Sequence, residues 1–293
     1  MSIWWGVAVM RNLLSAGFTR LWRSKALWLS CVFLSGQTIT ALRTRYIDRI
    51  TLGVINYIDG CFFSYIAFIG ILIAVVCTLF LGTEYGDGTL RNKVTTGCKR
   101  KDIYLANLIV CSTAALIMCA ASIIPGLCIG LPLLGGFHMG AARAALFVLG
   151  SLALALAFAA IFTLLAMLVT NRAIASVAAI LIALTLLAVG VYIDSRLQAQ
   201  PTIDGLVIHT TDESGNIDWE NSVTEKQPNP LYLPDGPVRD VYEFLHDFTP
   251  GGQVMQYASV SPKRPEVMIV YNVVIVAVTT AAGLFLFRRK DLK

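Results

Sequence analysis

Charge is scarce in this sequence. Charged residues make up only 14% of the 293 residues and hydrophobic residues make up 56%, whereas soluble domains carry about 25% charged and about 45–50% apolar residues. Long stretches carry no charge at all, and the charged residues cluster between them. This distribution excludes an ordinary soluble domain and indicates a membrane protein.

Residue patterns typical of enzymes are also missing. The sequence has no G-x-x-x-x-G-K-[ST] phosphate loop, no G-x-S-x-G elbow and no H-E-x-x-H pair. Its three histidines are scattered, and the apolar stretches contain neither paired acids nor a nucleophile with a base. We therefore expect a chain that is not an enzyme and that holds no metal or cofactor of its own.

Disulfide bonds are not expected either. Most of the seven cysteines fall inside apolar stretches, none forms a C-x-x-C pair, and none lies in the polar segment 194–264. The pattern argues against a disulfide-stapled outer domain. We interpret the cysteines as small apolar packing residues.

Six apolar stretches are long enough, or nearly long enough, to cross a bilayer. A helix needs about 20 apolar residues to span about 30 Å of hydrocarbon, and it satisfies its own backbone hydrogen bonds there. The sequence therefore predicts an all-α membrane protein with six transmembrane helices near residues 26–42, 60–82, 103–126, 143–169, 173–193 and 266–287. The first stretch carries Ser35 and Gln37 in its middle, so we expect it to pack inside the bundle and to hydrogen-bond other helices.

Basic residues between the spans predict the orientation. Lysines and arginines occur before the first span, between the second and third, between the fourth and fifth, and after the sixth. With six spans these positions share one side, which the positive-inside rule makes cytoplasmic, together with both termini. A few arginines fall on the opposite side against this rule, namely Arg43, Arg45, Arg49 and Arg143.

An amphipathic helix is predicted over residues 6–24, lying in the inner membrane interface. Helical spacing places one apolar set on one face and one polar set on the other. The apolar set is Leu14, Phe18, Leu21 and Trp22, and the polar set is Asn12, Arg20 and Arg23.

The long segment 194–264 is predicted to be an extracellular loop region between the fifth and sixth spans. It carries eleven Asp or Glu residues against five Lys or Arg residues. Its piece PVRDVYEFLHDF, residues 237–248, has helical spacing, and the run from Pro250 to Gly252 is expected to stop that helix. A solvated cap and a helix that dips back toward the membrane are both compatible with this pattern.

The segment TEYGDGTLRNKVTTGCKRKD, residues 83–102, separates the second and third spans. Gly86 and Gly88 are predicted to break the second span, and Thr89 is predicted to cap a short helix that Gly97 ends. This helix would lie across the cytoplasmic mouth of the bundle and expose Arg91, Asn92 and Lys93. Asp102 is predicted to cap the third span.

Several stretches resemble ABC-2 type transporter permeases. They are the inner-loop pattern E-Y-G-D-G-T-L-R-N-K with a following I-Y-L-A-N-L-I, the stretch F-T-P-G-G-Q-V-M-Q before the last span, and the ending G-L-F-L-F-R-R-K-D-L-K. Each motif is short, and their order along the chain makes the resemblance specific. The departure is the basic run at 98–101, where the family often has a small residue and a single arginine.

The resemblance implies a single ABC-2 type transmembrane domain over residues 1–293. It implies the membrane half of an ATP-driven exporter in a bacterial cell membrane, paired with a second copy or a related chain. Two separately encoded ABC ATPase subunits would bind ATP and dock on the helix of segment 83–102. Carried over to this chain, the ATPase-coupling site comprises Glu84, Gly88, Thr89, Leu90, Arg91, Asn92 and Lys93.

The cargo and one other function stay open at this point. The spans offer hydroxyl and aromatic side chains without fixed charge, which favours an amphipathic substrate such as a peptide antibiotic, a drug or a lipid-like molecule. A non-transporting membrane scaffold or sensor, whose extracellular loop binds a ligand, is the alternative. Membrane lipids are expected partners, and nucleic acid is not.

Overall fold

The computed structural model describes residues 2–53, 55, 57–211 and 217–290, and it describes side chains at 9–53, 55, 57–205 and 226–290. Its helices are α1 (Ser2–Trp22), α2 (Lys25–Leu52), α3 (Asp59–Phe62), α4 (Ile66–Gly86), α5 (Thr89–Thr95), α6 (Arg100–Leu134), α7 (Ala141–Leu168), α8 (Arg172–Gln198), α9 (Pro237–Phe248), α10 (Pro250–Ala258) and α11 (Pro265–Arg289). Two strands, β1 (Thr202–Thr211) and β2 (Ile217–Pro228), form an antiparallel hairpin.

Five helical segments among the described residues are long and apolar enough to cross a membrane. They are Asp59–Gly86, which joins α3 to α4, and the helices α6, α7, α8 and α11. Each of them coincides with a predicted span, so the prediction of a helical membrane protein is confirmed. All seven cysteines are free.

The first predicted span is not among these five. It lies in α2, which is a helix as predicted but extends beyond residue 42 to Leu52 and carries Arg43, Arg45 and Arg49 in this added part. A polar middle and this charged end distinguish α2 from the apolar helices. The count of six spans therefore stays a prediction.

Packing nevertheless places α2 inside the bundle, along α6. Ser35 Oγ donates to the carbonyl of Ala121 at 2.6 Å, and Gln37 Nε2 donates to Ser64 Oγ at 3.0 Å. Leu42, further along the same helix, packs into the space beside Gly130 of α6. The predicted hydrogen bonds from Ser35 and Gln37 to other helices are confirmed.

Helix α6 does not end near residue 126, as the sequence pattern predicted. It continues through Pro125 and Pro132 to Leu134. A proline inside a helix removes its own N–H donor and crowds the carbonyl four residues earlier, but packing against neighbouring helices can hold such a helix together. Here Phe62 packs into the space beside Gly126, which supports the helix beyond the first proline.

The bundle has two distinct ends. At one end, which we call the Glu84 end, the Tyr85 hydroxyl donates to the carbonyl of Met167 at 2.5 Å, and Arg100 bonds the carbonyl of Lys290. The opposite end, which we call the hairpin end, carries the β-hairpin, α9 and the contact from the His138 N–H to Asp59 at 2.7 Å. The C-terminal part of α1 and the C-terminal end of α11 both lie at the Glu84 end.

The segment 194–264 is more ordered than the predicted loop. It contains the hairpin, in which Thr202 pairs with Pro228, and helix α9, which matches the predicted helix. The run from Pro250 to Gly252 does not merely stop α9, because it opens a second helix, α10. Thr249 caps α10 by accepting a hydrogen bond from the N–H of Gly252 at 3.2 Å, and Pro250 occupies the first helical turn, where no N–H donor is needed.

Helix α10 returns into the bundle, whereas α9 exposes apolar side chains such as Val241 and Phe244. The glycines at the start of α10 let its backbone contact the backbone of α8 at Gly190 and Leu186. Further along α10, Gln253 is fully buried and accepts a hydrogen bond from Asn272 of α11 at 2.7 Å. The helix that dips back is therefore α10, which the sequence pattern did not predict.

We predict that Gly190→Ala destabilises the protein, whereas Gly36→Ala does not. A methyl group at 190 would overlap the Gly251 backbone, and a methyl group at 36 would meet no atom of the described residues within 4 Å. The first change is expected to lower the free energy of unfolding by about 1–3 kcal/mol, and the second to leave it unchanged or raise it slightly. Thermal unfolding of the purified variants in detergent checks this, and equal stabilities would contradict the described contact.

Candidate functional site

A buried carboxylate joins four helices at the Glu84 end. Glu84, near the end of α4, has no exposed surface. Its Oε1 accepts hydrogen bonds from Arg20 of α1 and from Lys93 Nζ of α5, the latter at 2.6 Å. Its Oε2 accepts a hydrogen bond from Asn107 Nδ2 of α6 at 3.0 Å. We call these four residues the Glu84 cluster.

Arg20 is fixed by more than its ion pair. Its guanidinium also donates to Thr83 Oγ1 at 3.0 Å and to the carbonyl of Phe80 at 3.3 Å. It lies 4.9 Å from the centroid of the Phe80 ring, which is a cation–π contact. The end of α1 is thereby attached to the last two turns of α4.

The position of Arg20 corrects the predicted faces of the N-terminal helix. The sequence pattern placed Arg20 with Asn12 and Arg23 on the polar face, and only the latter two are exposed. Gly17 is buried because Val110 of α6 packs against it, and this close approach turns Arg20 toward the bundle. Trp22 is 53% exposed, which is compatible with its predicted place on an apolar face that contacts the membrane interface.

The charge balance of the cluster is positive. One carboxylate without solvent contact meets two cations whose side chains are only 33% and 18% exposed. A buried charge without a partner is strongly unfavourable, so either cation alone satisfies the main requirement of Glu84. The second cation makes the pairing redundant.

Helix α5 begins next to this cluster. Gly88 precedes it with φ 65°, a left-handed conformation that favours glycine. Thr89 is the first helical residue, and its hydroxyl donates to the carbonyl of Glu84 at 3.1 Å. The predicted helix is confirmed, but its predicted cap is wrong, because Thr89 faces back to α4 instead of bonding the N–H groups of α5.

The end of α5 agrees with the prediction. Gly97 has φ 87°, its N–H donates to the carbonyl of Val94 at 3.0 Å, and the N–H of Cys98 donates to the carbonyl of Lys93 at 3.1 Å. This is the hydrogen-bond pattern by which a glycine in the left-handed region ends a helix. Helix α5 is therefore a separate element bounded by two glycine turns.

Gly88 and Thr89 form the start of α5, and the other five predicted coupling residues divide into two groups. Glu84, Leu90 and Lys93 face the bundle, and Leu90 is only 1% exposed. Arg91 and Asn92 are exposed to solvent. The prediction that Lys93 is exposed with them is wrong, because its ammonium folds back onto Glu84.

The start of α6 also differs from its prediction. Asp102 does not cap α6; the capping position is Lys99, without a side-chain hydrogen bond, and Asp102 lies inside the first turn. The side chain of Arg100 bonds the carbonyl groups of Arg288 and Lys290 at the end of α11. The start of α6 is thus tied to the C-terminal end of α11.

A second contact joins the same end to the C-terminus. Lys290 Nζ donates to the Tyr85 hydroxyl at 2.8 Å and to the carbonyl of Met167 at 3.0 Å, and it lies 4.4 Å from the centroid of the Tyr85 ring. Burial lowers the pKa of Lys290 to about 8, so the ammonium is still mostly charged at neutral pH. This contact holds the ends of α4, α7 and α11 together.

Sequence reasoning missed three of the residues that organise this end, namely Arg20, Asn107 and Lys290. Asn107 had a visible signal, because it is the one strongly polar residue of the apolar stretch I-Y-L-A-N-L-I. A polar side chain in such a stretch usually bonds another helix. Lys290 gave no signal beyond being part of a basic end, since its partners are distant in sequence.

We predict that Arg20→Met and Lys93→Met are strongly non-additive. Each single change leaves one cation at Glu84 Oε1, whereas the double change leaves a buried carboxylate with Asn107 alone. We expect the double variant to lose about 1–3 kcal/mol more stability than the sum of the single variants. Thermal unfolding in detergent measures this, with Arg23→Met, on an exposed residue of the same helix end, as the control.

A third change makes this test sharper. Adding Glu84→Gln to the double variant removes the unpaired charge and is expected to restore part of the lost stability. Additive losses in the double variant, or no gain from Glu84→Gln, would contradict the description of Glu84 as a buried charge that depends on these two cations.

Comparison with known families bears on this arrangement. The model of a family described as ABC-2 family transporter protein matches residues 13–190, which is more than half of the chain and includes the whole Glu84 cluster and α5. The stretches before and after the last span, which also showed the resemblance, lie outside the matched range. No curated protein matches the sequence. The chain belongs to the ABC-2 family of transporter proteins, as a membrane subunit with a role in transport.

Proposed function

We propose that the chain is the membrane-spanning subunit of an ATP-driven exporter and that the exposed face of α5 is the docking site of a separate ATPase. The observation that carries this proposal is the two-sided character of α5. One side presents Arg91 and Asn92 to solvent, and the other side is attached to the bundle through Leu90 and Lys93.

The attachments of α5 suit it to transmit movement. Two contacts bind it to α4, namely the Lys93–Glu84 ion pair and the hydrogen bond from Thr89 to the Glu84 carbonyl, and Leu90 is buried in the bundle. Glu84 in turn contacts α1 and α6. A push on α5 would therefore reach three other helices through one carboxylate, as a two-state shift biased by a ligand bound elsewhere requires.

ATP would bind the partner subunits, since this chain has no phosphate loop. We further propose that the permease works as a pair, with a second copy or a related chain, in a bacterial cell membrane with both termini in the cytoplasm. The amphipathic cargo expected from the sequence, such as a peptide antibiotic, a drug or a lipid-like molecule, is kept as part of this proposal. Family membership favours it over a scaffold or sensor.

We predict that Arg91→Glu separates the permease from its ATPase without unfolding it. Arg91 is exposed and makes no side-chain contact to the Glu84 cluster, whereas reversing Lys93 would bury a second carboxylate beside Glu84. Purification from native membranes in mild detergent, followed by ATP hydrolysis per mole of permease, measures the association. We expect the co-purifying hydrolysis to fall at least about tenfold, the equivalent of about 1.4 kcal/mol.

The matched control is Lys226→Glu, which makes the same charge change on an exposed residue at the hairpin end. It is expected to retain the hydrolysis of the unaltered protein. Both variants should elute as single symmetric peaks in size-exclusion chromatography. Full hydrolysis in Arg91→Glu, or equal loss in both variants, would show that α5 is not the docking site.

We also predict that residue 92 faces the cytoplasm and residue 226 the cell exterior. Cysteines introduced at these exposed positions can be labelled after Cys98 and Cys128 are changed to serine, because the five other cysteines are buried. A membrane-impermeant maleimide should label Lys226→Cys on intact cells and Asn92→Cys only after permeabilisation. The reverse pattern would overturn the proposed orientation.

A further inference from the structure

A second polar site lies at the hairpin end, far from the Glu84 cluster. It is a cavity of about 420 Å³ between the end of α2, α3 and the start of α7. Its polar lining consists of Arg45, Tyr57, Asp59, His138 and Arg143. Neither the family match nor the proposed coupling mechanism gives these residues a role.

Asp59 has one oxygen that lacks a donor. The residue is only 8% exposed. Its Oδ2 accepts the backbone N–H of His138 at 2.7 Å, and its Oδ1 is buried without a hydrogen-bond partner among the described residues. Burying a carboxylate oxygen without a hydrogen-bond donor is unfavourable, because the oxygen loses the free energy of its hydration without compensation. A ligand in the cavity could supply the missing hydrogen-bond donor to this oxygen, and an ammonium group is the best match for a carboxylate.

The same cavity also offers a site for negative charge. The guanidinium of Arg143 lines it together with the carboxylate of Asp59. Arg143 is held in place, because one of its nitrogens donates to the carbonyl of Pro262 at 3.3 Å and its guanidinium lies 5.6 Å from the Phe147 ring centroid. A guanidinium fixed in this way is suited to bind phosphate or carboxylate oxygens.

The cavity opens beside an apolar surface. On the last turns of α2 and just after them, Ile47, Ile50, Leu52 and Ile55 are all exposed. On a membrane protein such side chains would contact lipid, which would place the cavity at the edge of the bilayer. Arginines at this edge also occupy the side where the positive-inside rule does not expect them.

We propose that this cavity binds the headgroup of a zwitterionic phospholipid that carries a primary ammonium. The ammonium pairs with Asp59 Oδ1, and the phosphate pairs with Arg143. The Tyr57 and His138 rings, whose centroids are 4.7 Å apart, form the wall beside the headgroup. Recognition depends on N–H donors, so a trimethylammonium headgroup, which has none, binds more weakly.

Native mass spectrometry of the purified full-length protein tests this. The probe is an equimolar mixture of phosphatidylethanolamine, phosphatidylcholine and phosphatidylglycerol with identical acyl chains. We expect the protein to retain phosphatidylethanolamine about tenfold more strongly than phosphatidylcholine, as one charge-assisted hydrogen bond predicts. Phosphatidylglycerol, which lacks the ammonium, should also bind more weakly than phosphatidylethanolamine.

Substitutions test which residue binds the ammonium and which binds the phosphate. Asp59→Asn keeps the size of the side chain and should abolish the preference for phosphatidylethanolamine, whereas Asp235→Asn, at a side chain that is 98% exposed, should not. Arg143→Gln, at an exposed residue, should weaken all three lipids alike and serves as the second variant if Asp59→Asn does not fold. Equal retention of the ethanolamine and choline lipids, or an unchanged preference in Asp59→Asn, would overturn the proposal.

Soluble glycerophosphoethanolamine distinguishes a lipid from a free zwitterion. If it does not displace the bound lipid at equal concentration, the acyl chains contribute and the ligand is the membrane lipid, as proposed. If it displaces the lipid completely, the site recognises the headgroup as a free solute, and the lipid assignment is wrong. Neither result depends on an ATPase or on α5.

Discussion

The pairing of one buried carboxylate with two cations organises the Glu84 end of this protein. Glu84 is enclosed at the end of α4, and Arg20, Lys93 and Asn107 reach it from three other helices. A buried carboxylate of this kind tolerates few geometries, because the loss of both cations would leave an uncompensated ion in an apolar interior. The relative positions of α1, α4, α5 and α6 are therefore specified more narrowly than apolar packing between smooth helices would specify them.

The same pairing explains why α5 can be short. A helix of seven residues has little stability of its own, since helix nucleation is unfavourable. The left-handed Gly88 starts it, Gly97 lets it end, and Leu90 and Lys93 fix it to the bundle. What faces outward is then free to match another protein, which in the proposed function is the ATPase. Rigidity on one side and availability on the other arise from the spacing of a few residues.

The sequence predicted most of the helical membrane architecture, because long apolar runs and clustered charge depend only on local composition. It also located α5 and its terminating glycine. The sequence-based prediction failed where contacts between residues distant in sequence determine the structure. Gly17 lets α1 approach α6 closely and turns Arg20 inward, and Lys93 contacts Glu84 instead of solvent. The hairpin and α10 were missed as well. In the case of α10, Pro250 was interpreted as the end of a helix, whereas Thr249 caps a new helix that begins at Pro250.

Through its contact with α10, helix α8 connects the Glu84 end of the bundle to the hairpin end. Near its start, α8 places Arg172 in the space beside Gly82, and near its end Gly190 touches the backbone of Gly251. Its 27 residues form one unbroken rod about 40 Å long. A tilt of about 5° around the midpoint of such a rod would shift its ends by about 2 Å in opposite directions. In the proposed transport cycle, a movement at the Glu84 end would therefore be accompanied by an opposite movement at the hairpin end.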